Sequence, residues 1–471
     1  MTTSKVTDHT DEVATLRSLD TKPWPKRMVG YLHLMGPGFM QSAMTLGGGT
    51  AFASIFAGAA FGYDLLWVAP IAMLLGIIVL AAVAHQTLST DMDPFQAMRQ
   101  HAGPFFAWAW AISGIVSSII WQFAQYALAA AMLGMLASDL GWNAPNWLLG
   151  LIALVWCISV AMLYGRAPRL IRLYEGILKG MVWLIVIALA WVVIRTGIPD
   201  AFGLLKGLIP SIPDNYVGES WVNDAGELVK GTTISTMMVV VSGLAAAVGA
   251  NMVFVYPYTL RRRRWGKGHR RLARLDLGVG MFVPYVLAAS LLLIASASIF
   301  HFQNPGGFHG LHITPRQCAE VLAAPDRLGP TVGLWVFGIG ILAMALSSIT
   351  MQMLCSGFAL SVMCNKPTEG PVYRIGMMLP AVGVLGAIYW GDMKLWLIIP
   401  TTMICGALLP LAYAGFIKLQ RSRAYLGDAM PTGIKGRLWL VGMWLSMLVI
   451  IGFLLWFAIA KLPGWWTDVT T

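Results

Sequence analysis

Thr45-Leu46-Gly47-Gly48-Gly49-Thr50 lies in the middle of an uncharged, apolar run over about residues 34–61, a run that opens with Met35-Gly36-Pro37-Gly38. Three successive glycines make a poor helix interior, each costing roughly 1 kcal/mol relative to alanine. A second run, about 233–259, carries Val248-Gly249-Ala250-Asn251 at its middle and Tyr256-Pro257 a few residues on. Each run is long enough to cross a bilayer as a helix, which takes about 20 apolar residues. Backbone that leaves the helix inside hydrocarbon survives only where protein or a cavity satisfies its polar groups. Taken singly, either glycine stretch is explained by close helix packing, for which small residues are also used. Their placement as a pair asks for more.

Working outward, charge-poor runs fall at about 34–61, 65–84, 105–137, 147–164, 173–194, 233–259, 277–300, 331–361, 372–390, 394–417 and 438–460, which predicts eleven membrane helices. The two interrupted runs are the first and the sixth. If the first ten helices form two five-helix halves, the breaks occupy corresponding positions, the pattern that marks the substrate site of inverted-repeat carriers. The expected fold is therefore an all-α integral membrane protein, a 5+5 inverted repeat plus an eleventh helix, with helices 1 and 6 interrupted. Its divisions are a polar cytoplasmic tail (1–28), segments 1–5 (29–196), an extracytoplasmic loop (197–232), segments 6–10 (233–418), a cytoplasmic loop (419–437), segment 11 (438–460) and an extracytoplasmic tail (461–471). The chain before Lys26 has no signal-peptide pattern and reads as mobile.

Composition points the same way: 58% of the 471 residues are hydrophobic and 11% charged, with a mean hydropathy of +0.70. A water-soluble domain cannot bury that much apolar surface. Most of the 32 lysines and arginines fall in alternate loops, densest at Arg261 to Arg264 with Lys267, Arg270, Arg271 and Arg274. Short basic loops resist translocation, so this side is expected to be cytoplasmic, with the N-terminus inside and the C-terminus outside, in the cell (inner) membrane. The net charge of +11 is thus a topological signal. It favours contact with anionic lipid headgroups and not with nucleic acid. Cys157, Cys318, Cys355, Cys364 and Cys405 have no ligand-like spacing, and no cofactor is implied. Nothing in the sequence fixes an oligomeric state. No nucleophile, base and orienting group share helical spacing within the spans, which argues against an enzyme.

Gly36-Pro37-Gly38-Phe39 followed by Phe61-Gly62-Tyr63-Asp64-Leu65-Leu66-Trp67-Val68, then Gly207-Leu208-Ile209-Pro210 and Ala345-Leu346-Ser347-Ser348-Ile349-Thr350, occur in the order found in a known family. The chain resembles the natural resistance-associated macrophage protein (Nramp) family of proton-coupled divalent-metal transporters over roughly residues 30–460. That resemblance implies a LeuT-like fold and transport of a metal ion. The departures fall on the family's chemistry. Where the family has Asp-Pro-Gly-Asn in helix 1, with metal-binding aspartate and asparagine, this chain has Gly47, Gly48, Gly49 and Thr50. Where it has Met-Pro-His in helix 6, this chain has Val248, Gly249 and Ala250, followed by Asn251; a small shift of register brings Met252 to the site. The acids of Asp-Leu-Ala-Glu in helix 3 are replaced by the amides of Gln122-Phe123-Ala124-Gln125.

The candidate site is therefore Gly47, Gly48, Gly49, Thr50, Val248, Gly249, Ala250, Asn251, Gln122 and Gln125, with Thr50 and Asn251 the remaining side-chain oxygens for a metal and no acidic ligand. Exposed carbonyls at the breaks would coordinate a cation, and half-helix N-termini would favour an anion. Without acid or thiolate, stripping Mn²⁺ or Fe²⁺ of water is unfavourable, whereas Mg²⁺ keeps several waters and suits a polar, neutral cavity. Proton coupling is expected to be weak or absent. His33 and His85 lie at helix ends, and Glu175 and Asp276 near cytoplasmic ends beside arginines with which they are expected to pair. The reading is a metal-cation carrier; its alternatives are a carrier of a small organic or anionic solute on the same fold, or a non-transporting receptor or scaffold.

Overall fold

A computed structural model describes residues 9–164, 167–218, 220–222, 228–229, 233–303, 308, 315–322, 329–389 and 398–460. The 461–471 tail lies outside them. Among the described residues, nine helices are long and apolar enough to cross a membrane. The pair Pro37–Thr45 and Gly48–Phe61 makes one further span bent by 56°, and Asn146–Ala161 is a shorter apolar helix. In chain order these are the eleven expected segments, and the chain is an integral membrane protein.

Both interruptions are present. Segment 1 leaves the helix at Leu46 (φ −75°, ψ 76°) and Gly47 (φ −133°, ψ −169°). Segment 6 is split into Thr236–Ala247 and Ala250–Arg262 by Val248 (φ −141°, ψ 119°) and Gly249 (φ −99°, ψ 165°). No residue at either break adopts a positive φ, so backbone freedom is not what requires glycine there. Space is: a Cβ on Gly47 would lie 2.5 Å from the Gln125 amide nitrogen and 2.8 Å from Ser348 Oγ.

Around the breaks, the long helices Pro104–Asp139 (segment 3) and Pro330–Met363 (segment 8) run beside each other, and segment 8 also packs on Pro168–Thr196 (segment 5) and Pro371–Met378 at the start of segment 9. Segment 7, Lys267–Gln303, passes through two π-helical turns, Leu277–Phe282 and Ala297–Gln303. Segment 11 lies at the edge, against segments 2 and 10, with only 17% of its apolar window covered by protein. Its remaining apolar face is what lipid is expected to solvate.

Two expectations change. The polar N-terminal stretch holds two helices, His9–Asp20 and Trp24–Leu34, which pack on each other with Leu16 and Leu19 buried, so its described part is not a loose tail. The basic pair of segment 5, Arg172 and Lys179, which the sequence alone reads as snorkelling, also divides: Arg172 is exposed, but half-buried Lys179 turns inward and donates to the carbonyl of Met35.

Close approach of segments 1 and 7 depends on Gly58, where a Cβ would meet the Leu293 carbonyl oxygen at 2.2 Å and the Ala297 nitrogen at 2.9 Å. Gly58→Ala should lower stability by about 1–3 kcal/mol through overpacking. Gly452→Ala, which meets nothing within 4 Å on segment 11, should be neutral or better. Thermal unfolding of the two variants in detergent checks the contrast, and equal melting temperatures would contradict it.

Candidate functional site

Inside hydrocarbon every carbonyl and N–H freed by a break must find a partner. The carbonyls of Ala43 and Met44 accept from Ser347 Oγ (3.1 Å) and Ser348 Oγ (2.9 Å) of segment 8. That of Thr45 accepts from Thr50 Oγ1 at 2.6 Å. The N–H of Gly48, first residue of the second half-helix, donates to Gln125 Oε1 at 2.8 Å. Thr45 Oγ1 donates across to the last carbonyls of the facing half-helix, Ala247 (2.7 Å) and Ala246 (3.1 Å). Gly249 N–H points at Met252 Sδ, 3.4 Å away. The breaks are thus joined to each other through Thr45 and to segments 3 and 8 through Gln125, Ser347 and Ser348.

Between them lies a small cavity of about 20 Å³, lined by Thr45, Thr50, Gln125, Asn251, Met252 and Gln352 together with Met44, Trp121, the backbone of Gly47, Gly49 and Gly249, and Ala245 and Ala246. A cavity of this size holds about one water. No lining residue carries a titratable side chain. A second space of about 30 Å³ shares Thr50 and Ala246 with it and is lined by Ser54, Leu65, Leu66, Tyr285 and Ser290, on the side away from the arginine loop. Its lining is mostly apolar, with Thr50, Ser54, Ser290 and Tyr285 as its polar members.

The hydrogen-bond network orients one amide in the cavity. Ser348 Oγ spends its hydrogen on the Met44 carbonyl, so it accepts from Gln352, whose Nε2 lies 3.1 Å away. The other end, Gln352 Oε1, is buried with no hydrogen-bond partner. Asn251 Oδ1 accepts from its neighbour's N–H, Met252 N, at 2.9 Å.

Of the residues singled out in sequence, Gly47, Gly49, Thr50, Gly249, Asn251 and Gln125 line the cavity. Four are placed otherwise. Gly48 gives its N–H to Gln125. Val248 packs towards segment 2, where a Cβ on Gly76 would meet its Cγ2 at 2.1 Å. Ala250 is wholly buried at the start of its half-helix. Gln122 faces away from the breaks, donating from Nε2 to the Ile349 carbonyl at 3.0 Å and lying against Gly383 of segment 9. Gln122 and Gln125 lie three positions apart on one helix, yet the two amides bind different neighbours. At the first break, where carbonyls were expected to be open to a cation, those of Ala43, Met44 and Thr45 are taken up by hydroxyl groups. Gln352, Thr45, Met44 and Trp121 were missed, because a glutamine in a span reads as an interhelical hydrogen-bonding residue, and an isolated threonine, a methionine and a tryptophan in a membrane segment carry no site signal of their own. Among the described residues no group of three or more His, Cys, Asp or Glu could hold a metal.

Two broken spans, hydrogen-bonded across a buried polar cavity inside an eleven-segment bundle, define a secondary-transporter fold of the LeuT type. Solved structures agree on the fold: the Eremococcus coleocola manganese transporter matches with a TM-score of 0.70 at 17% identity over 93% of this chain and 89% of that one. Mhp1, a nucleobase-cation-symport-1 family transporter, matches at 0.55 and 13% identity, covering 90% and 92%. Residues 38–460 match the model of the natural resistance-associated macrophage protein-like family, and the chain belongs to the Nramp family. Among relatives, the divalent metal cation transporter MntH of Mycobacterium leprae is 23% identical, covering 89% of this chain and 91% of its own. That of Nostoc sp. is 24% identical with 94% of each covered.

The cavity makes the three glycines inequivalent. A Cβ on Gly48 meets nothing closer than 3.4 Å, whereas one on Gly49 would sit 2.5 Å from the Trp121 ring. Gly48→Ala should change stability by no more than about 0.5 kcal/mol, and Gly49→Ala should cost about 1–3 kcal/mol as the indole is displaced. Thermal melts of the two variants test this, and the reverse order would refute the placement of Trp121.

Proposed function

We propose that this protein carries a divalent metal cation, Mg²⁺ in preference to Mn²⁺ or Fe²⁺, with weak or no proton coupling. In this reading the arginine loop and N-terminus are cytoplasmic, the C-terminus is extracytoplasmic and the host is the inner membrane. The observation that carries it is Gln352 Oε1, a buried acceptor without a hydrogen-bond partner, in the cavity that Asn251, Thr50 and Gln125 also line. An acceptor left open calls for a cation or its water shell, since a buried oxygen without a partner costs about 1–3 kcal/mol. Relatives are named divalent metal cation transporters and a solved neighbour is a manganese transporter.

The preference for a hard, hydrated ion follows from charge. Neutral amide and hydroxyl oxygens do not compensate the dehydration of Mn²⁺ or Fe²⁺, while Mg²⁺ retains most of its waters when bound. At about 20 Å³ the cavity admits such an ion only when the half-helices part, as alternating access requires. Met252 supplies one soft donor at the second break, but its sulfur lies 3.4 Å from the Gly249 N–H. With no titratable group lining the cavity, nothing there takes up a proton with the cargo.

One feature supports a second reading, a small organic solute: the Trp121 ring forms an apolar wall over Gly49. Purified protein in liposomes, with reporters for Mg²⁺, Mn²⁺ and internal pH, separates the readings. Saturable Mg²⁺ entry is expected, with a rate flat between about pH 6 and pH 8 and no accompanying acidification. Gln352→Ala should weaken apparent affinity by roughly tenfold, the loss of one oxygen ligand. Absence of flux with both ions would refute the metal reading, and acidification in step with metal entry would refute the lack of coupling.

A further inference from the structure

Segment 2, Val68–Ser89, ends at the arginine-loop side of the bundle, where the start of segment 7, Arg270–Asp276, and segment 11 both pack on it. Arg270 and Arg274 stand one turn apart on one face of segment 7, and both lie within electrostatic reach of His85 on segment 2. From segment 11, Trp439 donates through Nε1 to the Ile78 carbonyl at 3.0 Å, which sets its ring edge-on to that of His85 with centroids 5.4 Å apart. Ser446 Oγ donates to the Leu75 carbonyl, also at 3.0 Å. The stripe Lys435, Trp439, Gly442 and Ser446 is therefore the one turned to segment 2. His85 donates from Nε2 to the Ala429 carbonyl at 2.8 Å, and it marks the point where the two basic helices come together.

The positive charge gathered there has no counter-charge. Among the described residues neither Arg270 nor Arg274 makes an ion pair, and Arg270 Nε is buried without a hydrogen-bond partner. The acids near by are committed elsewhere. Asp276, two positions after Arg274, is fully buried, and its Oδ2 accepts from the backbone N–H of Gly38 (2.7 Å) and Gly36 (3.4 Å). It binds backbone and not the arginine that its sequence neighbours predict. Glu175 does pair with an arginine, its Oε1 lying 3.7 Å from Arg263 Nε. Asp428, next to Ala429, is exposed and pairs with neither arginine of segment 7. A guanidinium N–H removed from water and left open calls for an acceptor, and a second positive charge one turn away calls for an anionic one. We propose that this cleft, with Arg270, Arg274 and Lys435 around His85 and Trp439, seats the phosphate of an anionic glycerophospholipid from the leaflet at the arginine-loop end.

Lipid, and not a soluble anion, is the occupant that uses the rest of the surface. Leu438, Val441, Leu445 and Leu448 are exposed and follow one another along segment 11, beside the stripe that holds Trp439. With the headgroup phosphate in the cleft, acyl chains lie along this apolar row, in the hydrocarbon that segment 11 faces. A free phosphate gains nothing from it. The planar forks of two arginines match phosphate oxygens, a tryptophan at the same level is the usual neighbour of headgroups, and basic pockets between membrane helices are where anionic headgroups bind. A choline headgroup brings its own cation, which the arginines repel. The inference stands on charge and exposure and is independent of which solute the protein carries.

Native mass spectrometry of the full-length protein in detergent, titrated with phosphatidylglycerol or with phosphatidylcholine, tests the site. Phosphatidylglycerol should be retained in preference to phosphatidylcholine. Arg270→Gln and Arg274→Gln should each weaken its apparent affinity by roughly fivefold. Arg172→Gln, which removes an exposed arginine of segment 5 outside the cleft, should leave it unchanged. Arg274 is exposed, so its variant carries the test if Arg270→Gln does not fold. Equal retention of the two lipids, or an affinity in Arg274→Gln no lower than in Arg172→Gln, would overturn the proposal. Displacement of the lipid by glycerol phosphate at the same concentration would assign the cleft to a free phosphate and overturn the choice of lipid.

Discussion

The architecture depends on one requirement, that the backbone groups exposed by two broken helices be hydrogen-bonded in a place without bulk water. An unmet carbonyl or N–H at that depth costs several kcal/mol. Ser347, Ser348, Thr50, Thr45 and Gln125 meet the need, and every one of these bonds except that of Thr50, which stays within segment 1, also sets a distance between segments. Segment 8 comes to the first break because its serines are the partners of Ala43 and Met44. The half-helix Thr236–Ala247 comes to it because its last carbonyls take the Thr45 hydroxyl. The cavity is the space left over when these bonds are made.

The same bonds determine what the cavity can offer a solute. Hydroxyl groups occupy the carbonyls of Ala43, Met44 and Thr45, while the side chains of Gln352, Asn251 and Met252 face the cavity. The interior of the site is electrically neutral, unlike the acid-bearing pattern that the Nramp resemblance implies. Charge has not left the protein's interior; it is gathered at the Gly36-Pro37-Gly38 turn, where Asp276, Glu175, Lys179 and Arg263 meet. Neutral polar groups and charged groups thus meet opposite ends of one nine-residue helix, Pro37–Thr45.

Much was legible before any coordinates. Spans of about 20 apolar residues follow from bilayer thickness, and both breaks follow from glycines that a helix interior disfavours. Less was legible where a residue's role depends on what faces it. Gln122 and Gln125 look alike in sequence, yet one binds a carbonyl of segment 8 and the other caps a half-helix. Lys179 reads as a snorkelling lysine until Met35 is placed beside it. Ser347 and Ser348 read as ordinary polar residues between helices, although they hold the first break together.

What the sequence determined by itself is local: the number and length of membrane helices, the positions of their interruptions, the sidedness signal in Arg261 to Arg274, and the absence of acid from both breaks. These depend on the partition of each residue between lipid and water and on its cost in a helix, which neighbours far along the chain alter little. Only the tertiary structure decided which freed backbone group meets which side chain, that Met252 and Gln352 share a cavity with Thr50, and that Asp276 caps a turn some 240 positions away. Hydrogen bonds are directional and act over about 3 Å. Their partners are therefore chosen by the packing of whole helices, information that no stretch of the chain contains alone.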